Sequence, residues 1–298
     1  LVAVSNEGWL TAELDRLGIE WTLVPFGHWS NPLAFLQSRK VVERLVKLIK
    51  EHDVQLVHAN EHWVGPPSYL AARRAGIPVV CHFRTGLEDL TARRIAKYRY
   101  GRFDRVIAVA EVLRRQLATH VADPARVLVV RDGVEIPDDV SARTHATSRI
   151  IAINVGALYP VKGQAQILEQ AIPWLRQSNR HYLVFVGGTR ADPSYAEGMR
   201  QTILEEHDLE AQVYLLGSRT DVPRLLGFAE VLIAYSTVEG VPRVVMEAMA
   251  AGRPVIVSNT PGMEEVVLDG EVGRIIDPDS GSALSETLSE LSTDRSRW

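Results

Sequence analysis

Between Val231 and Val267 the chain reads VLIAYSTVEGVPRVVMEAMAAGRPVIVSNTPGMEEVV. Two carboxylates, Glu239 and Glu247, stand eight residues apart, with Gly240 and Pro242 between them. Carboxylates accept hydrogen bonds from neighbouring hydroxyls such as those of a sugar or ribose. The pattern predicts a strand ending near Tyr235, a loop carrying Glu239 and Gly240, and a helix beginning at Pro242 in the favoured first-turn position. A new strand then starts at Pro254, followed by a Pro261-Gly262 turn. A helix N-terminus in that place presents N–H groups and a positive dipole end to a phosphate, and Gly240 permits close backbone approach. The segment therefore suits a ligand that is both anionic and hydroxylated. Spacing alone is not specific, because Glu43/Glu51 and Glu197/Glu205 are also eight apart; the strand–loop–helix–strand context carries the reading.

Other chemistries lose weight by what is missing. No G-x-G-x-x-G follows a strand and no G-x-x-x-x-G-K-[ST] is present, which disfavours a nicotinamide dehydrogenase and a P-loop phosphotransferase. There is no G-x-S-x-G nucleophile elbow. His58 and His62 have H-x-x-x-H spacing, but Glu61 is not where H-E-x-x-H places its glutamate, so an ordinary histidine pair is the better reading than zinc. The single cysteine, Cys81, excludes an intrachain disulfide and a cysteine zinc site. It fits a reducing cytoplasm, and after Val79-Val80 it reads as a small buried hydrophobe.

The elements that must position these residues follow from the apolar pattern. The chain has 298 residues, 46% of them hydrophobic and 23% charged, an ordinary globular balance that excludes a fibre or long disorder. The length suggests two domains. No apolar run is long enough to cross a bilayer. Net charge is −4, against a dedicated nucleic-acid binder. Residues 1–149 hold 21 basic and 17 acidic side chains, and residues 150–298 hold 12 and 20, so the first half would suit an anionic acceptor or membrane face. A solvated surface is the plainer account of the cluster Arg93, Arg94, Lys97, Arg99 and Arg102.

Short apolar runs alternate with helical patterns. Strands are expected at Leu1–Ser5, Glu20–Pro25, Val54–His58, Pro78–Phe83, Arg105–Val109 and Val127–Val130, with an amphipathic helix over Leu33–Glu51. After IPDDVSARTHATSR (136–149), which lacks periodicity, strands resume at Ile150–Val155, Tyr182–Val186, Val213–Leu216, Val231–Tyr235, Pro254–Ser258 and Arg274–Ile276. Helices are expected at Gln164–Leu175, Tyr195–His207, Pro242–Ala251 and Ser282–Leu291. The β-branched, nearly continuous strands indicate parallel sheets buried on both faces. The expected architecture is α/β, with two Rossmann-like doubly wound domains, 1–138 and 150–298, joined by a linker at 139–149 and facing across a cleft.

These residues resemble the retaining glycosyltransferases of family 4, which have the GT-B fold. EGVPRVVMEAMAAGRPV followed by TPGMEEVV resembles the family's donor-site signature, E-x7-E. NVGALYPVKG (Asn154–Gly163) resembles its strand, glycine loop and Lys-Gly, and LVFVGG, YLLGSRTDVPRLLGFAEVLI and GRIIDPDS follow in order. IPVVCHFRTG, FDRVIAVAEVL and VRDGVEIP match more loosely in the first half. The resemblance covers nearly the whole chain.

What the resemblance implies is a hexosyltransferase that takes its sugar from a nucleotide-diphosphate donor and uses no metal or other cofactor. The acceptor would be a polysaccharide, a lipid-linked glycan or another glycan. Lys162 would contact the donor diphosphate, with Gly156, Gly240 and the N–H groups near Arg243, Val244 and Val245 around it. Glu247 would hold the ribose hydroxyls and Glu239 the sugar hydroxyls, while the loop around Gly217–Arg219 would meet the base. His82 and Arg84 share one face by alternation, and both are candidates for the histidine the family places near the reacting sugar. Glu265 would lie on the sugar side or act as a helix-start carboxylate. A cytoplasmic protein is implied, peripheral at the inner face of an anionic membrane when the acceptor is lipid-linked, with no nucleic-acid partner.

There are departures. Ala157 stands where the family commonly has an arginine, so Lys162 and helix N-termini must suffice or Arg243 or Arg219 must substitute. The chain begins at Leu1, and by the resemblance it is expected to start after the family's first strand and glycine-rich loop and to stop before its final helix. A non-catalytic or incomplete nucleotide-sugar-binding protein, or a UDP-sugar epimerase on the same fold, are the alternative functions.

Overall fold

The computed structural model describes residues 1–26, 34–84, 102–121, 123–136, 148–189, 192–237 and 241–294. The chain divides into two compact units, Leu1–Arg131 and Asp132–Trp298. Most of the expected linker lies outside the described residues.

Unit 1 contains strands β1 (Val2–Val4), β2 (Trp21–Leu23), β3 (Val57–Ala59), β4 (Val79–Phe83), β5 (Arg105–Ala108) and β6 (Val127–Val129). Its helices are α1 (Trp9–Arg16), α2 (Ala34–Glu51), α3 (Gly65–Ala75) and α4 (Glu111–Ala118). All described strand pairs are parallel. They fall into two sheets, β1-β2 and β3-β4-β5-β6. The amphipathic pattern of α2 buries Val41, Val42, Leu45, Leu48 and Ile49 with Val24, Phe26 and Ala71, at roughly 1.5–3 kcal/mol for each large side chain. Helix α3 carries Pro66 and Pro67 in its first turn and is closed by Gly76, whose φ of 73° forms a left-handed cap.

Unit 2 contains β7 (Ile150–Val155), β8 (His181–Val186), β9 (Val213–Leu215), β10 (Val231–Ala234), β11 (Val255–Ser258) and β12 (Gly273–Ile276). The helices are α5 (Gln164–Leu175), α6 (Pro193–Glu205), α7 (Val222–Phe228), α8 (Arg243–Ala250), α9 (Pro261–Glu264) and α10 (Ala283–Thr293). One sheet runs β12-β11-β10-β7-β8-β9, parallel throughout. Every residue of β10 and β11 is buried, as expected for a sheet covered by helices on both faces. Trp174 of α5 is fully buried, stacks on His181 with centroids 4.4 Å apart, and donates from Nε1 to Ser292 Oγ at 2.8 Å. Helix α6 is capped by Asp192, which accepts the Tyr195 N–H at 3.0 Å.

The expected strands and helices are present, most of them shifted by one or two residues at an end. Strand β3 is the largest change: it starts at Val57 rather than Val54 and ends at Ala59. One functional boundary also moves. Pro242 is the N-cap of α8, with ψ at 102°, and the helix starts at Arg243. Its extended backbone lets the Pro242 carbonyl accept the first turn's N–H groups from outside the helix.

Candidate active site

In unit 2, taking β7 as the first strand, the order across the sheet is 3-2-1-4-5-6. The chain leaves β7 for one side and β10 for the other, so the loops after these neighbouring strands open a crevice at their carboxyl ends. Both expected donor loops emerge there. The loop after β7 carries Gly156 and Lys162, and the loop after β10 leads into α8 with Arg243 and Glu247.

Backbone geometry ties the two loops together. Gly163 closes the short 3-10 turn Pro160–Lys162 with φ of 65°, a left-handed conformation that glycine adopts without strain. A Cβ there would fall on the Tyr235 carbonyl oxygen. The Thr237 N–H donates to the Val161 carbonyl at 3.0 Å. The aliphatic stem of Lys162 passes beside Gly156, its Cδ 4.0 Å from where a Cβ of that glycine would stand.

The neighbouring loops are packed as tightly. Gly156 donates to Val186 O at 2.8 Å, Leu158 to Gly188 O at 3.0 Å, and Gly187 to Gly217 O at 2.9 Å. A side chain on Gly187 would collide with the Gly156 carbonyl, and one on Gly188 would come within 2.6 Å of Ser218 Oγ. Gly217 itself has φ of 68° with open space around it. These glycines hold the loops after β7, β8 and β9 against one another at one sheet edge.

Helix α8 shows how the second loop is placed. Val245 is fully buried among Val257, Met263 and Leu232, and its N–H already donates to Pro242 O at 3.0 Å. Of the three expected donors, Val245 is thus a core anchor, and the N–H groups of Arg243 and Val244 are those an anion could meet. Arg243 Nη2 lies 3.6 Å from Glu247 Oε1, one turn further on, with both side chains partly exposed; such a pair contributes about 0.3–0.5 kcal/mol. Arg219 is held by Asp221 through two bonds of 2.8 Å, and that partner raises its pKa further. Either arginine would have to exchange a carboxylate partner to serve a ligand. Glu265 is half-buried at the end of α9. Glu239 and Gly240 lie outside the described residues.

His82 and Arg84 lie in unit 1. His82 is buried in β4 and stacks on His58 of β3, with centroids 5.7 Å apart. Arg84 follows the last residue of β4. Burial, first, and the Arg84 guanidinium, second, lower the His58 pKa below 6.5. His62 stacks on Phe83 and its Nδ1 is 3.1 Å from Glu61 Oε2. Among the described residues no group of three or more His, Cys, Asp or Glu is placed to hold a metal ion. Cys81 is fully buried, which pushes its thiol up, away from reactivity.

Several positioning groups escaped the sequence reading. Gln164 is fully buried and reaches back to Ala157 O at 2.9 Å, holding the loop that carries Lys162. Tyr195 Oη accepts the Ala165 N–H at 2.8 Å, although Tyr195 is thirty residues away. Ser258 Oγ donates to Ser236 O at 3.0 Å at the end of β10. The only signal for Gln164 is its place after Lys-Gly at a helix start; the others depend on partners distant in sequence.

A two-unit parallel α/β protein with its donor-type loops at a topological switch point is a GT-B glycosyltransferase architecture. Sequence comparison agrees. The profile described as Glycosyl transferases group 1 matches residues 136–297, and the one described as Glycosyltransferase Family 4 matches residues 7–136. The chain belongs to the group 1 glycosyltransferase family, and it is a glycosyltransferase. It is 25% identical over 288 residues to the Escherichia coli UDP-Gal:alpha-D-GlcNAc-diphosphoundecaprenol alpha-1,3-galactosyltransferase, covering 88% of this chain and 73% of that one. It is 29% identical over 290 residues to the GDP-mannose-dependent alpha-(1-6)-phosphatidylinositol monomannoside mannosyltransferase of Mycolicibacterium smegmatis, with the same coverage. The crystal structure of Anabaena HepE in complex with UDP and glucose superposes with a TM-score of 0.82 at 22% identity, over 99% of this chain and 83% of that one. Among the described residues no helix is long and apolar enough to cross a membrane.

Proposed function

We propose that this chain is a retaining, metal-independent hexosyltransferase that moves a sugar from a nucleotide-diphosphate donor to a glycan or lipid-linked acceptor. The observation that carries the reading is the joined pair of loops at the switch point of unit 2. There Lys162 and the N-terminal N–H groups of α8 share a sheet edge, with Glu247 one turn inside the helix. The relatives named for UDP-galactose and GDP-mannose, and the HepE complex with UDP, support a nucleotide-sugar donor. The diphosphoundecaprenol and phosphatidylinositol acceptors in the relatives' names support a lipid-linked acceptor.

The chemistry is positioning and electrostatics. The bond between the anomeric carbon and the diphosphate oxygen breaks, and the nucleotide diphosphate leaves with its negative charge. The Lys162 ammonium and the Arg243 and Val244 N–H groups stabilise that growing charge without a metal. Glu247 accepts the ribose hydroxyls and Glu239 the sugar hydroxyls. Attack comes from the same face as the leaving group, and the departing phosphate takes the acceptor's proton. His82 or Arg84 acts near the transferred sugar. The protein works in the cytoplasm, peripheral to the inner membrane face that displays a lipid-linked acceptor.

The test is calorimetric titration with UDP, GDP and ADP in the presence of a chelator, on the wild type and on Glu247→Ala. One nucleotide binds, and the variant weakens it by roughly tenfold to a hundredfold, the worth of hydrogen bonds to a charged group. Equal affinity in the variant, or binding that requires a divalent cation, overturns the assignment. The anomeric configuration of the product, read by proton NMR, checks retention.

A further inference from the structure

Strands β7 and β10 part before they end. Their pairing covers Val231 with Ala152 and Leu232 with Ile153, while β7 runs on to Val155 and β10 to Ala234. On the flanks away from the split the ladders continue, β7 with β8 as far as Val155 and Val186, and β10 with β11 as far as Ala234 and Val257. The sheet therefore opens at its carboxyl end, between the two strands whose loops form the candidate donor site. Two buried side chains hold β10 there from opposite sides. Asn154 of β7 donates from Nδ2 to Ile233 O at 2.8 Å, one residue past the last β7–β10 pair. Ser258 of β11 donates from Oγ to Ser236 O at 3.0 Å, two residues past the last β10–β11 pair. Asn154 is 4% exposed and Ser258 1%. Each supplies a backbone carbonyl of the β10 exit with a hydrogen bond where the strand ladder has run out.

Packing does not account for Asn154. Ile150, Ala152 and Ile153 of the same strand are buried apolar residues, and valine would suit the position by strand preference. Asn154 Oδ1 is buried with no hydrogen-bond partner among the described residues, and a buried acceptor in that state destabilises a fold. A side chain that weakens the core yet fixes one backbone carbonyl answers a requirement of position. The same short stretch is met from a third direction, where the Thr237 N–H donates to Val161 O beside Lys162.

We infer that Asn154 and Ser258 are positioning residues for glycosyl transfer. Together they clamp the exit of β10 and so fix the start of the stretch between β10 and α8, which carries Glu239. The inference rests on the donor-site reading proposed above, in which Glu239 accepts the sugar hydroxyls. Helix α8 has an anchor of its own in the fully buried Val245. Glu247 and the N–H groups of Arg243 and Val244 therefore keep their places when the clamp is loosened. The clamp acts on the transferred sugar, and the nucleotide is held without it. A displacement of about 1 Å in such an element lowers a rate by up to about a hundredfold.

The experiment compares the wild type with Ser258→Ala, Ser258→Thr and Asn154→Val. Calorimetry gives the affinity for UDP, GDP and ADP, and a second assay follows release of the nucleotide from UDP-galactose, GDP-mannose and ADP-glucose with water as the acceptor. Ser258→Ala and Asn154→Val bind the nucleotide within about twofold of wild type but release it from the sugar nucleotide about tenfold to a hundredfold more slowly. Ser258→Thr keeps the hydroxyl and restores most of the rate. The melting temperature of Asn154→Val stays within about 3 °C of wild type, because the change removes the buried Oδ1 along with the bond. Wild-type rates in Ser258→Ala and Asn154→Val overturn the inference. So does an equal loss of affinity and rate, or a Ser258→Thr variant as slow as Ser258→Ala, either of which marks a merely structural role. A wild type that binds no nucleotide or releases none, or whose binding is unchanged by Glu247→Ala, overturns the donor-site reading and this inference with it.

Discussion

Unit 2 closes one sheet of six parallel strands, with the two central strands β10 and β7 adjacent and β10 buried along its whole length. In unit 1 the described strands fall into two sheets, β1-β2 and β3-β4-β5-β6, and of the residues of β1 and β2 only Val4 is buried. The two units therefore spend the same residue type differently. Trp174 in unit 2 has no exposed surface, whereas Trp9 in unit 1 has 81%. The difference teaches that a repeated strand–helix pattern does not by itself close a core.

The comparison breaks first at Trp174. Trp174→Ala removes a fully buried ring, its stack on His181 and its bond to Ser292, and should cost about 3–5 kcal/mol, read by urea unfolding of unit 2. A loss below about 1 kcal/mol would mean that the ring is not packed in the unit 2 core. Gly163→Ala comes next. It meets the Tyr235 carbonyl and a left-handed φ at once, and should cost about 2 kcal/mol or more. Gly217→Ala shares the positive φ but has open space, so about 1 kcal/mol is expected. Equal losses at the two glycines would show that the contact between the donor loops adds nothing.

In unit 1, His58 sharpens the contrast through pH. Its folded pKa lies below 6.5, so the unfolded chain binds the proton more readily. The corresponding stability is fully present above pH 6.5 and is lost as pH falls from there through the folded value. NMR titration of the His58 ring should give a midpoint below 6.5. Arg84→Ala should raise that midpoint only part of the way, because burial is the larger cause. A full return to 6.5 would mean the ring is solvated. The smallest effect is expected at Trp9→Ser, within about 0.5 kcal/mol; a larger loss would show that Trp9 is packed in solution.

Much of the fold was legible because its signals are local. Buried parallel strands read as β-branched runs such as VLIA and VIVS, and α2 shows its core face through Val41, Val42, Leu45, Leu48 and Ile49. The resemblance carried by EGVPRVVMEAMAAGRPV is likewise a matter of adjacent residues. Some features read less accurately. Pro242 reads as a helix's first residue, but whether a proline caps or enters a helix depends on its ψ, which composition does not set. The N–H of Val245 reads as available because the carbonyl that accepts it is displayed only by the folded turn. Gln164, Tyr195 and Ser258 look like ordinary polar residues until their backbone partners arrive.

Sequence alone determined the α/β class, the succession of strands and helices and the glycosyltransferase resemblance, which depend on periodicity and on near neighbours; Lys162 as a diphosphate contact is what that resemblance implies. Tertiary structure decided the strand order 3-2-1-4-5-6 of unit 2, the contact of Gly163 with Tyr235, and the grouping of the described strands of unit 1 into two sheets. Each of these joins segments distant along the chain, and hydrogen bonds and close packing between such segments exist only once the sheet has assembled.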